Sequence, residues 1–315
     1  MAKVLITEKI AEEGIQYLEQ KGYTIKIGHG TDKAALLEDI QDCDAVLVRI
    51  AKIDTEVFDK APNLKVVAKH GVGVDNIDLE AAKKHGCRVV YTPTANILSV
   101  AEHTIGLMCA GAKQILLKTR EYAKGNFAIK DTSFDTELFG KTVGLIGAGK
   151  IAREVARIAK NGFRMRVLAF DPFVPAGSLS DLLELVDRET VLKESDFVSI
   201  HMPSTKETKK SFSENEFVTM KKSAWLINTA RGAIVDEEAL VKALRNGEIA
   251  GAALDVTDPE PMVKDSPLFA FDNVILTPHC AGCTAESMVR LATDSAQGIY
   301  EVLSGKEPTY AFPGA

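Results

Sequence analysis

Three polar residues in the C-terminal half of the sequence have the chemistry of one reaction. Arg231, Glu260 and His279 stand at or just after candidate strands, in the segments LINTAR, DVTDPEP and VILTPH. An arginine can hold a carboxylate by two hydrogen bonds, and a histidine can exchange a proton with a carbonyl oxygen near neutral pH. A carboxylate beside that histidine would raise its pKa and fix its orientation. Each residue alone also has a structural explanation, but together they indicate proton transfer to a carbonyl that receives a hydride.

The segment around the histidine, TPHCAGC at residues 277–283, offers two other chemistries. His279, Cys280 and Cys283 could hold a metal, or the two cysteines could form a redox pair. A zinc site needs about four ligands, and the sequence contains no second CxxC and no paired histidine. We therefore predict no metal site and favour His279 as an acid/base. Redox sensitivity of the two thiols remains a minor hypothesis.

A glycine turn in TVGLIGAGKIAREVARIAK predicts a nucleotide site. Gly147 permits a tight turn, Gly149 lets the backbone approach a pyrophosphate, and Ala152 stands where a small residue allows helix and strand to pack. The following helix would present its unpaired N–H groups to the phosphates. Asp171 ends the next strand, where a carboxylate can accept hydrogen bonds from ribose hydroxyls and would repel a 2′-phosphate, which favours NAD over NADP. The alternative for Asp171 is a turn residue before Pro172.

A second glycine segment, GVG at residues 71–73, also follows a strand but has no third small residue at the required spacing. Its successive backbone N–H groups could form an anion nest suited to a carboxylate.

The elements that must position these residues alternate between strands and helices, which predicts parallel sheets covered by helices. Candidate strands of the first half lie at residues 4–7, 24–28, 44–49, 64–69 and 88–92, and Asp78 is a plausible N-cap. Six more strands follow from Thr142, the number in a full doubly wound sheet. Residues 99–124 read as one long helix, residues 125–141 as a loop, and the last helix leads back towards the N-terminal half. The carboxyl ends of such strands face a ligand crevice.

Length and composition set the class of protein. The 315 residues suggest two domains. A net charge of −6 without a basic run argues against a nucleic-acid partner. The N-terminus does not resemble a secretory signal and no apolar stretch reaches spanning length, so we expect a cytoplasmic protein without a membrane partner. Five cysteines, an odd number, suit reduced thiols.

Motifs along nearly the whole chain resemble those of the D-isomer-specific 2-hydroxyacid dehydrogenase family. In chain order they are HGVGVDNIDLEAA, SVAEHTIGLM, GKTVGLIGAGKIA, INTARGAIVDEEAL, GAALDVTDPEP and TPHCAGCTAE. The resemblance implies an α/β fold in which a Rossmann, doubly wound NAD-binding domain is inserted into a flavodoxin-like catalytic domain. Residues 1–98 and 285–315 would form the catalytic, substrate-binding domain. Residues 99–284 would form the NAD-binding domain, including a helix that joins two chains as a homodimer.

The resemblance also implies roles for individual residues. Arg231 would bind the carboxylate and carbonyl of the substrate, His279 would be the acid/base, and Glu260 its partner. Further substrate contacts would come from Arg49, Lys69, Val72 and Gly73. Contacts to NAD would come from Val72, Val100, Gly147, Gly149, Lys150, Ile151, Asp171, His201, Met202, Pro203, Thr208, Thr229, Ala230, Arg231, Asp255, His279 and Gly282.

The substrate side chain is open to more than one interpretation. The sequence most resembles short members of the phosphoglycerate dehydrogenase branch, in which Arg49 matches a position near the substrate phosphate. That branch commonly has RAG before GVGVDNID, where this sequence has Lys69, His70 and Gly71. The expected substrate is therefore 3-phosphoglycerate, with hydroxypyruvate, glyoxylate or another 2-oxo acid as the alternative. An alternative of another class is an NAD-sensing protein like the corepressors of this family.

Overall fold

The computed structural model describes residues 1–314, and the chain forms two compact units. The first unit contains Met1–Asn96 and the segment that begins at Cys283, and the second contains Ile97–Gly282. One parallel sheet forms the centre of each unit. Among the described residues, no helix combines the length and the apolar character needed to span a bilayer.

The first sheet has five parallel strands in the order β2-β1-β3-β4-β5, which is the flavodoxin-like order. Every side chain of AVLV in the third strand is buried, as expected for a parallel strand covered on both faces. The predicted flavodoxin-like fold of this part is confirmed. The strands are β1 (Lys3–Ile6), β2 (Thr24–Ile27), β3 (Ala45–Val48), β4 (Val66–Lys69) and β5 (Arg88–Val90).

Five helices cover this sheet: α1 (Glu12–Gln20), α2 (Lys33–Asp39), α3 (Thr55–Lys60), α4 (Leu79–Lys84) and α12 (Ala285–Leu303). Helices α2, α3 and α4 contribute to one core, and α1 and α12 contribute to the other. A Cβ on Gly14 of α1 would lie 2.8 Å from Ala292 of α12, so the two helices touch through a glycine. The last helix therefore belongs to the N-terminal unit, as predicted. Asp78 caps α4 by accepting a hydrogen bond from the Ala81 amide at 3.0 Å.

The second sheet has seven parallel strands in the order β12-β11-β10-β9-β6-β7-β8. Strand order reverses between β6 and β9, which is the switch point of a doubly wound sheet. The strands are β6 (Thr142–Ile146), β7 (Arg166–Phe170), β8 (Glu184–Leu185), β9 (Phe197–Ile200), β10 (Trp225–Asn228), β11 (Gly251–Leu254) and β12 (Val274–Leu276). The predicted Rossmann fold is confirmed, but the predicted count of six strands is wrong by one. The missed strand, β8, has only two residues and lies at the sheet edge.

The remaining helices are α5 (Ile97–Ala112), α6 (Ile115–Ala123), α7 (Ile129–Thr132), α8 (Lys150–Phe163), α9 (Arg188–Glu194), α10 (Glu214–Thr219) and α11 (Glu237–Asn246), with 3₁₀ turns at Gly232–Ile234 and Pro267–Ala270. The prediction of one helix over residues 99–124 is wrong, because Gln114 is left-handed with a φ of 47°. Its side chain accepts from Ser133 at 2.5 Å and donates to the Phe134 carbonyl at 2.7 Å. The segment predicted as a loop therefore includes α7, and its residues 133 and 134 bond Gln114 at the break between α5 and α6.

Candidate active site

The glycine turn after β6 is shaped to leave room for a ligand. Gly147 has a φ of +102°, and a Cβ there would lie 2.7 Å from the carbonyl oxygen of His201, so the turn requires glycine. Gly149 is the N-cap residue of α8, and a Cβ there would meet nothing within 4 Å. Ala152, in the first turn of α8, is fully buried. Packing therefore explains why small residues stand at Gly147 and Ala152. The open space at Gly149 instead fits a pyrophosphate at the N-terminus of a 14-residue helix.

Asp171 follows β7 and connects the end of that strand to the glycine turn. Its Oδ2 accepts from the Ala148 amide at 2.8 Å, and its Oδ1 accepts from the Phe173 amide at 2.9 Å. The turn role considered from the sequence is thus present. A carboxylate has about four lone-pair sites, so these two hydrogen bonds are compatible with further bonds to ribose hydroxyls.

The turn at residues 201–203 follows β9 beside the glycine turn. The His201 amide donates to the Ile146 carbonyl at 2.8 Å, and its Nε2 lies 2.9 Å from Ser199 Oγ. Burial lowers the pKa of His201 to about 4, so its imidazole is neutral. Thr208 closes the following loop by donating to the Pro203 carbonyl at 2.7 Å.

Arg231 lies in the loop after β10, and a buried asparagine gives that loop its shape. The side chain of Asn228 donates to the Arg231 carbonyl at 2.9 Å and accepts from the Ala230 amide at 3.0 Å. Arg231 Nη1 donates to the Ala230 carbonyl at 2.7 Å. A Cβ on Gly232 would lie 2.0 Å from the carbonyl carbon and oxygen of Thr257. The loops after β10 and β11 therefore touch, and only a glycine permits this approach.

Glu260 and His279 form a hydrogen-bonded pair next to that contact. His279 Nδ1 donates to Glu260 Oε2 at 2.9 Å, and Glu260 Oε1 accepts from the Thr257 amide at 3.1 Å. Burial alone would raise the pKa of Glu260, but the His279 hydrogen bond, the Thr257 amide and the charge of Arg231 together hold it below its ordinary value. The pair is half-exposed, with side-chain exposures of 52% for His279 and 39% for Glu260. The structure thus brings the three predicted catalytic residues together.

Asp255 organises the loop that carries His279, and it is almost fully buried, with 1% exposed. Its carbonyl accepts from the His279 amide at 2.7 Å. Its carboxylate accepts from the amides of Cys280 and Ala281 at 2.9 and 2.8 Å and from the Thr277 hydroxyl at 2.5 Å. These bonds hold His279 in its left-handed conformation, with a φ of 51°.

His103 on α5 is a member of this network that the sequence analysis did not select. Its Nε2 lies 3.2 Å from Thr277 Oγ1 and 3.6 Å from Asp255 Oδ1. His103, Asp255 and Cys280 each place one potential metal ligand within 4.8 Å of the others. However, Asp255 Oδ1 already accepts from Thr277 and from the Cys280 amide, so the geometry favours a hydrogen-bond network.

The other predicted site residues divide between the two units. In the second unit, Val100 is buried on α5, and Lys150 and Ile151 begin α8. Thr229 Oγ1 lies 3.0 Å from Thr104 Oγ1, and Gly282 is the last residue of the unit. Arg49, Lys69, Val72 and Gly73 lie in the first unit. Within residues 1–314, the amides of Val72 and Gly73 donate no hydrogen bond, as a nest for an external anion requires.

The comparisons with known proteins place this geometry in a family. Residues 105–281 match the sequence model described as D-isomer specific 2-hydroxyacid dehydrogenase, NAD binding domain. The D-3-phosphoglycerate dehydrogenase of Archaeoglobus fulgidus is 40% identical over 305 residues, which are 96% of this chain and 58% of that protein. The chain thus spans just over half the length of this curated relative.

Two further relatives match over nearly their whole length. The glyoxylate reductase of Thermofilum pendens is 40% identical over 316 residues, 97% of this chain and 93% of that protein. The crystal structure of the TT0316 protein of Thermus thermophilus has a TM-score of 0.92 at 36% identity and covers 98% of this chain and 99% of its own. The predictions of the family and of NAD as cofactor are confirmed: the chain belongs to the D-isomer-specific 2-hydroxyacid dehydrogenase family.

Proposed function

We propose that the protein catalyses reversible hydride transfer between NAD(H) and a D-2-hydroxy acid or its 2-oxo acid. The observation that carries this proposal is the His279–Glu260 pair, with a hydrogen bond of 2.9 Å, beside the Arg231 loop in an NAD-binding unit. A proton donor next to a carboxylate-binding cation is what reduction of a 2-oxo acid requires.

Each of the three residues has a separate role in this proposal. Bound NADH supplies the hydride for C2 of the 2-oxo acid, and NAD accepts it in the reverse direction. His279 donates a proton from Nε2 to the carbonyl oxygen during reduction, because Nδ1 is held by Glu260. Glu260 stabilises the protonated imidazole and fixes its orientation. Arg231 binds the substrate carboxylate, which positions the carbonyl and offsets negative charge on its oxygen.

We also propose the cofactor contacts that the sequence predicts. The open space at Gly149, at the N-terminus of α8, supports a pyrophosphate site. The carboxylate of Asp171 beside the glycine turn supports a site for the adenosine ribose. The contacts assigned to Val72, Val100, Lys150, Ile151, His201, Met202, Pro203, Thr208, Thr229, Ala230, Asp255 and Gly282 belong to the same proposal.

We propose the first unit as the substrate domain, with contacts from Arg49, Lys69, Val72 and Gly73. The named relatives include both phosphoglycerate dehydrogenases and glyoxylate reductases, so 3-phosphoglycerate and smaller hydroxy acids are both candidate substrates.

The test is NADH oxidation with 3-phosphohydroxypyruvate, hydroxypyruvate, glyoxylate and branched-chain 2-oxo acids. Arg231→Ala should raise KM strongly, and His279→Ala should lower kcat by about 10² to 10⁴-fold. Unchanged kinetics in either variant would contradict its role, and tight NADH binding without turnover would favour the sensor alternative.

A homodimer is also part of the proposal, and the number of exposed apolar side chains on α5 to α7 and the flanking segments supports it. Monomers seldom expose large apolar patches, yet six large apolar side chains between residues 97 and 140 are exposed: Leu98, Ile115, Tyr122, Phe127, Phe134 and Phe139. Light scattering should give about twice the chain mass of 34.1 kDa. Phe134→Glu should give the single-chain mass, whereas the control Val218→Glu, at an exposed position of α10, should not. A cytoplasmic location, consistent with five free cysteines, completes the proposal.

A further inference from the structure

Four ionisable side chains meet at the carboxyl end of the first sheet, and we call them the first-sheet cluster: Glu8, Arg49, Lys69 and His70. Glu8 follows β1, Arg49 follows β3 directly, Lys69 ends β4, and His70 comes next. Adjacent strands thus bring together residues from three distant parts of the sequence. Of the four, only Arg49 and Lys69 were assigned to the substrate from the sequence.

Glu8 is a fixed negative charge in this cluster. Its carboxylate accepts from the amides of Arg49, Ile50 and Ala51 at 2.9, 2.6 and 2.8 Å, and also from the Thr7 hydroxyl. Burial alone would raise the pKa of Glu8, but these hydrogen bonds together lower it, so the carboxylate is ionised at neutral pH.

The two cations of the cluster already have partners within the unit. Lys69 Nζ donates to Asn76 Oδ1 at 2.6 Å and to the Arg49 carbonyl. Arg49 Nη1 donates to the Lys9 carbonyl at 2.9 Å. With Glu8 negative and His70 neutral, the two cations leave the cluster with a formal charge of +1. A phosphate dianion would therefore be only partly balanced here and would also meet the fixed carboxylate.

His70 is the member of the cluster that has a buried side-chain nitrogen without a partner. The residue is only 6% exposed, and its Nε2 is buried without a hydrogen bond within residues 1–314. Burial, followed by the positive charges of Arg49 and Lys69, lowers the pKa of His70 to about 4 despite the nearby Glu8. These three charged groups face the imidazole, and each is itself only partly buried. Buried polar atoms nearly always have a partner, so an unpaired nitrogen next to three partly buried charged groups indicates a ligand.

We propose that His70 is a specificity-determining residue whose Nε2 hydrogen-bonds the C3 hydroxyl of an unphosphorylated 3-hydroxy-2-oxo acid. The proposal rests on the proposed function and names its substrate class. A hydroxyl both donates and accepts, so it satisfies Nε2 in either tautomer of the neutral ring. A phosphate dianion only accepts and can use one tautomer alone. The charge of the first-sheet cluster and the chemistry of His70 therefore both favour the hydroxyl.

The test compares two acids that differ only in this hydroxyl, hydroxypyruvate and pyruvate, and adds 3-phosphohydroxypyruvate as a third. The readout is kcat/KM for NADH oxidation. The wild type should prefer hydroxypyruvate to both other acids. His70→Leu, which removes both ring nitrogens, should lower the ratio of hydroxypyruvate to pyruvate by about tenfold, the usual effect of one hydrogen bond. His70→Gln should retain part of the ratio, because its amide places a donor and an acceptor near the position of Nε2.

His85→Leu is the matched control, since it makes the same substitution in the same unit. His85 follows α4, and its ring nitrogens bond the Ala81 carbonyl of α4 at 2.8 Å and Asp59 of α3 at 3.0 Å. The ratio should therefore stay at the wild-type value. An equal loss on both acids in His70→Leu would mean a structural role and would overturn the proposal. So would a wild-type preference for 3-phosphohydroxypyruvate, which would leave the proposed function intact. No turnover with any acid would instead overturn the proposed function. If both His70 variants fail to fold, the wild-type preference alone decides.

Discussion

Gly232→Ala tests whether the contact between the loops after β10 and β11 sets the geometry of the catalytic residues. A Cβ at position 232 would lie 2.0 Å from the carbonyl carbon of Thr257. Non-bonded carbons approach to about 3.5 Å, so one of the two loops must move by about 1.5 Å. Arg231 precedes the substituted residue, and the Thr257 amide donates to Glu260. The displacement therefore separates the substrate-binding cation from the acid/base pair.

A shift of this size has a predictable effect on rate. Misplacing a reacting group by about 1 Å can cost about 10²-fold, so kcat/KM of Gly232→Ala should fall by about that factor or more. The glycine turn after β6 is not touched by the substitution, so NADH affinity, measured by fluorescence titration, should change less than kcat/KM. Thermal unfolding of the variant shows whether the second unit remains folded.

Gly162→Ala provides the matched control for this experiment. Gly162 is exposed on α8, and a Cβ there would meet nothing within 4 Å. Its kinetics should equal those of the wild type, and its stability should rise by about 0.5–1 kcal/mol because alanine loses less backbone entropy than glycine. Wild-type kinetics in Gly232→Ala, with a folded protein, would refute the argument that this loop contact sets the catalytic geometry.

Three further predictions concern the cofactor site and the first sheet. Gly147→Ala should weaken NADH binding strongly, because its φ of +102° and the His201 carbonyl at 2.7 Å exclude a side chain; fluorescence titration checks this. Asp171→Ala should raise the ratio of NADPH to NADH turnover, since a carboxylate repels a 2′-phosphate; an unchanged ratio would assign Asp171 to the turn alone. The folded-state pKa of Glu8 is depressed, so its contribution to stability is present above the unfolded pKa of about 4.3 and is lost as pH falls through the folded value. Glu8→Gln should therefore flatten the loss of stability in acid, measured by urea unfolding at several pH values.

Local sequence constraints were sufficient to predict the parallel sheets and the glycine turn. A turn such as the one at Gly147 needs a particular backbone conformation, and the types of a few neighbouring residues indicate that conformation. The same holds for Asp78, whose side chain caps a helix only three residues away. The strand order could be inferred once the motifs suggested a family, because parallel strands joined by helices adopt few topologies.

Contacts made between distant segments could not be predicted in the same way. The break at Gln114 depends on residues 133 and 134, while the helical pattern itself continues through the break. His103 and Thr277 are 174 residues apart, and nothing near either one indicates that they meet. Gly232 follows a catalytic arginine, yet its need for glycine comes from Thr257 in another loop. His70 was visible as a departure from a motif, but its unpaired nitrogen is a property of the folded unit.

The second unit separates the residues proposed to react from those that hold them. The side chains of Glu260 and His279 are half-exposed, while Asn228 and Asp255 are almost fully buried beneath the same loops. A buried amide and a buried carboxylate are costly unless they are hydrogen-bonded, and here each is satisfied mainly by backbone groups of the catalytic loops. Moving a loop would leave one of these buried groups unpaired. The free energy that opposes such movement therefore also preserves the 2.9 Å bond between Glu260 and His279, on which the proposed proton transfer depends.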